Sequence, residues 1–170
     1  MDSKALTTLV SQLRSELSDV AGVIGQQFEA SAPVTPLLEQ RCSAVDQTLT
    51  QLWNACALDK TDIALIAVGG YGRGELFPSS DVDLLILLGQ PNDDSDAQVS
   101  AFVSSLWDLG LKIGHSVRSI DECLALAVDD ITVMTTLLET RLLVGPSAVY
   151  DKLLSELDER DIWKSGAFFT

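Results

Sequence analysis

The sequence predicts an α/β (α+β) domain: a small mixed sheet with helices packed on one side, preceded by an N-terminal helical hairpin. Three observations carry that prediction. Two long stretches with apolar residues at three- and four-residue spacing open the chain. Two short, almost wholly apolar runs come next, residues 63–68 and 81–88, separated by a glycine-rich segment. Helical spacing then returns and dominates the remainder.

The first helix is read from Leu6, Leu9, Leu13, Leu17, Val20, Ile24 and Phe28, one stripe of an amphipathic helix. Ser31-Ala32-Pro33 ends it. Thr35 reads as the next N-cap with Pro36 at the first helical position, where a missing amide hydrogen costs nothing. Leu38, Cys42, Val45, Leu49, Leu52, Trp53 and Cys56 then form the inner stripe of a second helix. The two helices pair antiparallel or pack against the downstream elements. Residues 1–58 are accordingly read as a helical extension and 59–170 as the main domain.

Residues 63–68 are bounded at once by Gly69-Gly70 and predict a buried strand. Residues 69–80 form a loop with room for one helical turn. Asp81-Val82-Asp83 opens a second strand with a wholly apolar interior. Residues 89–96 read as a polar loop, 97–109 as a helix closed by Gly110, and 111–117 as a third strand that Gly114 weakens. The rest reads as helices over about 120–128, 131–144 and after Gly145-Pro146.

Composition narrows the function. Twenty-five acids against eleven bases give a formal charge of −14, which repels bare nucleic acid and acidic membranes. Backbone amides and a metal can still bind a nucleotide against that field. Asp2, Lys4 and Arg14 interrupt any apolar run near the start, so no signal peptide is read. The longest apolar stretch, residues 82–88, is too short to span a bilayer. Cys42, Cys56 and Cys123 lack metal or redox spacing and read as small buried side chains. A cytoplasmic protein is expected.

The chemistry concentrates in Val68-Gly69-Gly70-Tyr71-Gly72-Arg73-Gly74-Glu75-Leu76 and Pro78-Ser79-Ser80-Asp81-Val82-Asp83. Side chains at i and i+2 of a strand share a face, so Asp81 and Asp83 project together with Val82 turned away. Two adjacent carboxylates repel each other, which raises a pKa or calls for a cation. Magnesium suits such a pair, because it binds through one or two carboxylates plus substrate phosphates. The glycines allow phosphate oxygens close to backbone amides, and Arg73 can bind phosphate through two donors. A dinucleotide fingerprint from Gly70 would need glycine where Glu75 stands. A P-loop from Gly69 would put Glu75-Leu76 at its Lys-Ser/Thr positions, the wrong charge for phosphate.

The segment resembles the polymerase-β-type nucleotidyltransferases, with an apolar strand, Gly-Gly, then Asp-x-Asp on the next strand. More closely, GGYGRGELFPSSDVDLLILL is similar to the start of the bacterial PII uridylyltransferase family. So are LWDLGLKIGHSVR (106–118) and LLETRLL (137–143). The resemblance implies a polymerase-β-like fold and transfer of UMP from UTP to a tyrosine of the PII nitrogen-signalling protein. It implies Asp81 and Asp83 as catalytic ligands of Mg2+, with Gly69, Gly70, Arg73 and Ser80 holding the triphosphate; Arg118, read from the residues themselves, is a candidate phosphate contact. That family continues into hydrolase and regulatory domains, so the chain is expected to be a C-terminally truncated piece of a longer protein.

The expected third strand, GHSVR, lacks the third carboxylate usual in the wider superfamily; Asp121, Glu122, Asp129 and Glu139 are the candidate substitutes. A module that binds nucleotide or a partner without turnover is therefore the second reading, and a transferase for another nucleotide, such as an adenylyltransferase, a third. His115 either touches phosphate or base or is packed structurally. Lys112 is a candidate phosphate contact. Arg141 is expected inside a helix, ion-paired with Glu139 or a loop acid. Tyr71 stacks on substrate or shapes the loop. Trp53, Trp107 and Trp163 read as core residues, and the acids at 93, 94 and 96 and at 156, 158, 159 and 161 as solvated faces.

Overall fold

The computed structural model describes residues 3–90 and 93–159. It opens with the predicted hairpin, α1 (Ser3–Glu29) and α2 (Val34–Ala55). The inner stripes meet through Val10, Leu13, Val45, Leu49 and Leu52, all buried. The start of α2 differs from expectation. The helix begins at Val34 with Pro33 as N-cap, so Thr35 and Pro36 lie inside its first turn. Proline is tolerated there because first-turn amides have no intrahelical acceptor to lose.

A 3-10 turn at Leu58–Lys60 leads into β1 (Ile63–Val68), the short helix α3 (Gly69–Gly72) and β2 (Val82–Leu88). Then come α4 (Asp93–Asp108), β3 (Ile113–Ser119), α5 (Ile120–Asp129), α6 (Ile131–Leu138), β4 (Thr140–Val144) and α7 (Ser147–Glu159). The strands lie in the order β3-β2-β1-β4. β1 runs antiparallel to β2 and β4, whereas β3 runs parallel to β2, so the sheet is mixed as predicted.

Three expectations are corrected. Helices cover both faces of the sheet, not one. All six β1 residues are buried. Leu65, Ala67, Leu84 and Ile86 face a core with Leu49, Trp53 and Phe102, while Ala64, Ile66, Leu85 and Leu87 face Leu124, Met134, Leu137 and Leu153. Second, the helix expected over 131–144 ends at Leu138, and residues 140–144 form the edge strand β4. Residues 140–144, Thr-Arg-Leu-Leu-Val, are too few to carry a distinguishing period, and pairing with β1 decides the strand. Third, α4 starts at Asp93, inside the expected loop.

The hairpin and the sheet share one core, in which Trp53 meets Phe102 edge-on at 5.1 Å between ring centroids. Trp107 is not a core residue: it is 66% exposed. Trp163 and Asp161 lie outside the described residues. The three cysteines are buried and unbridged. No described helix is long and apolar enough to cross a membrane.

Candidate functional site

The glycine segment forms a tight turn between β1 and β2. Gly69 has φ +58, a left-handed conformation that sends the chain directly from β1 into α3. Hydrogen bonds from the amides of Arg73 to the Gly69 carbonyl, Gly74 to Tyr71 and Glu75 to Gly70 close it, at 2.9–3.1 Å. Gly72 is pressed so tightly against the chain entering β4 that a Cβ there would overlap the Glu139 carbonyl oxygen and lie 2.9 Å from its carbon.

Asp81 stands just before β2 and Asp83 within it, while Val82 between them is buried in the core on the hairpin side. Asp83 is turned to the opposite face and half-buried. Its partner in the ladder is Gly114 of β3, and a Cβ at 114 would overlap Asp83 Oδ1. The glycine that weakens β3 as a strand therefore leaves the notch in which the carboxylate sits. Burial, and then the charge of Asp81, holds the Asp83 carboxyl above the usual range. Asp81 accepts a hydrogen bond from Lys112 Nζ at 2.9 Å.

The other basic candidates are distributed unevenly. Arg73 is already engaged, by Glu75 at 2.9 Å and by Glu139. Arg118 pairs with Leu87, on the face of Asp83 but four residues farther along, about 13 Å at the strand rise. It lines a cavity of about 200 Å³ with Val68, Leu85, Ser116, Thr132 and Thr136. His115 lies on the other face: it pairs with Leu84 and packs edge-on against Trp107 at 6.0 Å. His115 is exposed there, and its described ring contact is with Trp107. Ser80 closes a turn through its amide to the Phe77 carbonyl at 3.0 Å.

Among the described residues no third acid joins Asp81 and Asp83 in a group able to hold a metal. Glu122 is spent in a capping box with Ser119, whose amide holds its carboxyl below the usual range. Glu139 is taken by Arg73, so it is not the partner of Arg141. Arg141 lies on β4 and pairs instead with Asp46 of α2 at 2.7 Å. Long-range pairing across 95 residues leaves no local signal in the sequence.

Sequence reasoning also missed Asp46 and the cavity residues Ser116, Thr132 and Asp130. The only available signal for Asp46 was its place beside Cys42, Val45 and Leu49 on the buried stripe of α2. Asp130 caps α6 by accepting the Thr132 amide at 2.8 Å, and it too lines the cavity by Arg118.

A family profile described as "Nucleotidyltransferase domain" matches residues 49–136. A Photobacterium profundum protein named bifunctional uridylyltransferase/uridylyl-removing enzyme is 45% identical over 159 residues, 92% of this chain and 18% of that relative. The protein of that name from Cupriavidus metallidurans is 42% identical over 170 residues, 97% of this chain and 20% of the relative. The Chromobacterium violaceum protein is 46% identical over 150 residues, 87% and 17% respectively. The chain thus spans about a fifth of the length of the curated relatives it matches.

Proposed function

The chain belongs to the nucleotidyltransferase domain family, and from that premise we propose that it carries the site for transfer of UMP from UTP to a tyrosine of the PII signal protein, releasing pyrophosphate. The observation that carries the reading is the Asp81–Asp83 pair, with Asp83 seated in the Gly114 notch beside the glycine turn. The names of the relatives support uridylyl transfer.

The residues fit a divalent ion. Asp83 is a half-buried carboxylate in no ion pair among the described residues, and a second acid raises its pKa further. Two carboxylates are the donor set magnesium uses when phosphates complete its shell. When bound, Mg2+ would polarise the α-phosphate and stabilise the departing pyrophosphate. Asp81 and Asp83 would hold it, and Gly69, Gly70, Ser80 and Arg73 would hold the triphosphate. Arg118 would reach the nucleotide from the cavity along the same sheet face. The tyrosine oxygen forms a bond to the α-phosphorus as the bond to pyrophosphate breaks, and the hydroxyl proton is lost.

The absence of a third acid beside the pair, among the described residues, favours a second reading, a module that binds nucleotide without turnover. One experiment separates them. The full-length protein incubated with UTP, magnesium and PII should add one UMP to PII by mass spectrometry, and Asp81→Asn with Asp83→Asn should abolish the addition. Binding of UTP with no addition to PII supports the second reading. Transfer that survives the double substitution removes the metal assignment.

A further inference from the structure

We infer that α2 positions the glycine turn, and that Asp46 is the positioning residue through which it does so. The inference rests on the proposed reading of that turn as the triphosphate seat. Residues 69–74 are Gly, Gly, Tyr, Gly, Arg and Gly, and within them Tyr71 is the only buried side chain. A segment so rich in glycine has many accessible conformations. What holds Tyr71 therefore selects among them.

α2 reaches the turn at two points, through Cys42 and Asp46, and the chain just after it at a third, Pro78. Arg41 Nη2 donates to the Pro78 carbonyl at 3.4 Å, Cys42 Sγ to the Gly74 carbonyl at 3.1 Å, and the Tyr71 hydroxyl donates to Asp46 Oδ1 at 2.5 Å. Cys42 and Asp46 are four residues apart and so share one helix face. From the other side, β4 supplies Arg141. Its guanidinium donates to both Asp46 oxygens, at 2.7 and 3.2 Å, and to the Tyr71 carbonyl at 3.4 Å, and it lies 5.4 Å from the Tyr71 ring centroid. Tyr71 is held at its hydroxyl, its ring and its backbone.

Among the described residues the Asp46 carboxylate is hydrogen-bonded to Tyr71 of the turn and to Arg141 of β4, and it sits behind the turn on the hairpin side. It acts on substrate through the turn and is not a catalytic residue. Asp46 and Arg141 both fall outside the matched residues 49–136, yet they bracket the centre of that segment's phosphate-binding candidate. The N-terminal hairpin is thereby part of the machinery of the site rather than an appendage.

The test compares Asp46→Ala and Tyr71→Phe with the unaltered full chain, reading amide hydrogen exchange by residue and UTP affinity in magnesium. Asp46→Ala is expected to speed exchange in residues 70–75 at least about tenfold while the centres of β1 and β2 stay protected. UTP affinity should fall about tenfold. Tyr71→Phe should give the same pattern more weakly, because its ring and carbonyl contacts remain. Exchange that rises evenly through sheet and turn, or a turn unchanged in either variant, overturns the inference. If Asp46→Ala does not fold, Tyr71→Phe decides on the same readouts. If the turn loosens as expected but the unaltered chain binds no UTP, the triphosphate reading fails while the positioning role stands.

Discussion

Asp83 and Gly114 face each other across the parallel ladder of β2 and β3, and the carboxylate occupies the space a side chain at 114 would need. A strand glycine ordinarily weakens a sheet. Here its missing Cβ lets an acid lie half-buried between two strands without colliding with its neighbour. Gly114→Ala should push the carboxylate out of its notch. The expected result is a loss of about 100-fold in kcat/KM for transfer, the scale of an ångström-size misplacement. Thermal unfolding should change far less, and full activity in a folded Gly114→Ala protein would remove Asp83 from the chemistry.

The raised pKa of Asp83 makes a stability prediction with a definite sign. A carboxyl whose folded pKa exceeds its unfolded value favours folding when protonated, and that contribution is lost as pH rises through the folded pKa. Asp83→Asn should therefore raise the metal-free melting temperature at neutral pH. The difference should shrink toward zero below the ordinary carboxylate value near 3.8. Adding magnesium should raise the melting temperature of the unaltered protein and leave Asp83→Asn unmoved. A destabilised Asp83→Asn at pH 7 would contradict the burial argument.

Arg73 is shared by Glu75 and Glu139. If the guanidinium must leave Glu139 to meet phosphate, that pair competes with substrate. Glu139→Gln should then lower the KM for UTP roughly twofold to fivefold, since exposed ion pairs are weak competitors. An unchanged or increased KM would argue that Arg73 stays with its acids during turnover.

Gly72 is held by packing rather than by backbone conformation, because the obstacle is the Glu139 peptide and its φ is not positive. Gly72→Ala should destabilise by about 1–3 kcal/mol, the usual cost of forcing a group into a filled space. For a chain of this size that is a fall on the order of 5 °C in melting temperature. A melting temperature within a degree of the parent would show that the turn can lift away from β4.

Local signals made much of this molecule legible. The period of the hairpin stripes, the apolar run of β1 and the i, i+2 spacing of Asp81 and Asp83 each need only neighbouring residues, so they could be read directly. The glycine turn was equally visible, because glycine marks a backbone requirement in place. What sequence could not supply was pairing between distant segments. Residues 140–144 became a strand because β1 had a free edge, and Arg141 found Asp46 because β4 was laid beside α2. His115 and Asp83 parted to opposite faces because the β2–β3 register pairs Asp83 with Gly114 and Leu84 with His115. Each outcome depends on register or on contact across many residues, and a one-residue slip would reverse every face assignment in a strand. Sequence determined which groups could do chemistry; tertiary structure decided which of them share a face, which are occupied by ion pairs, and what holds the turn between them.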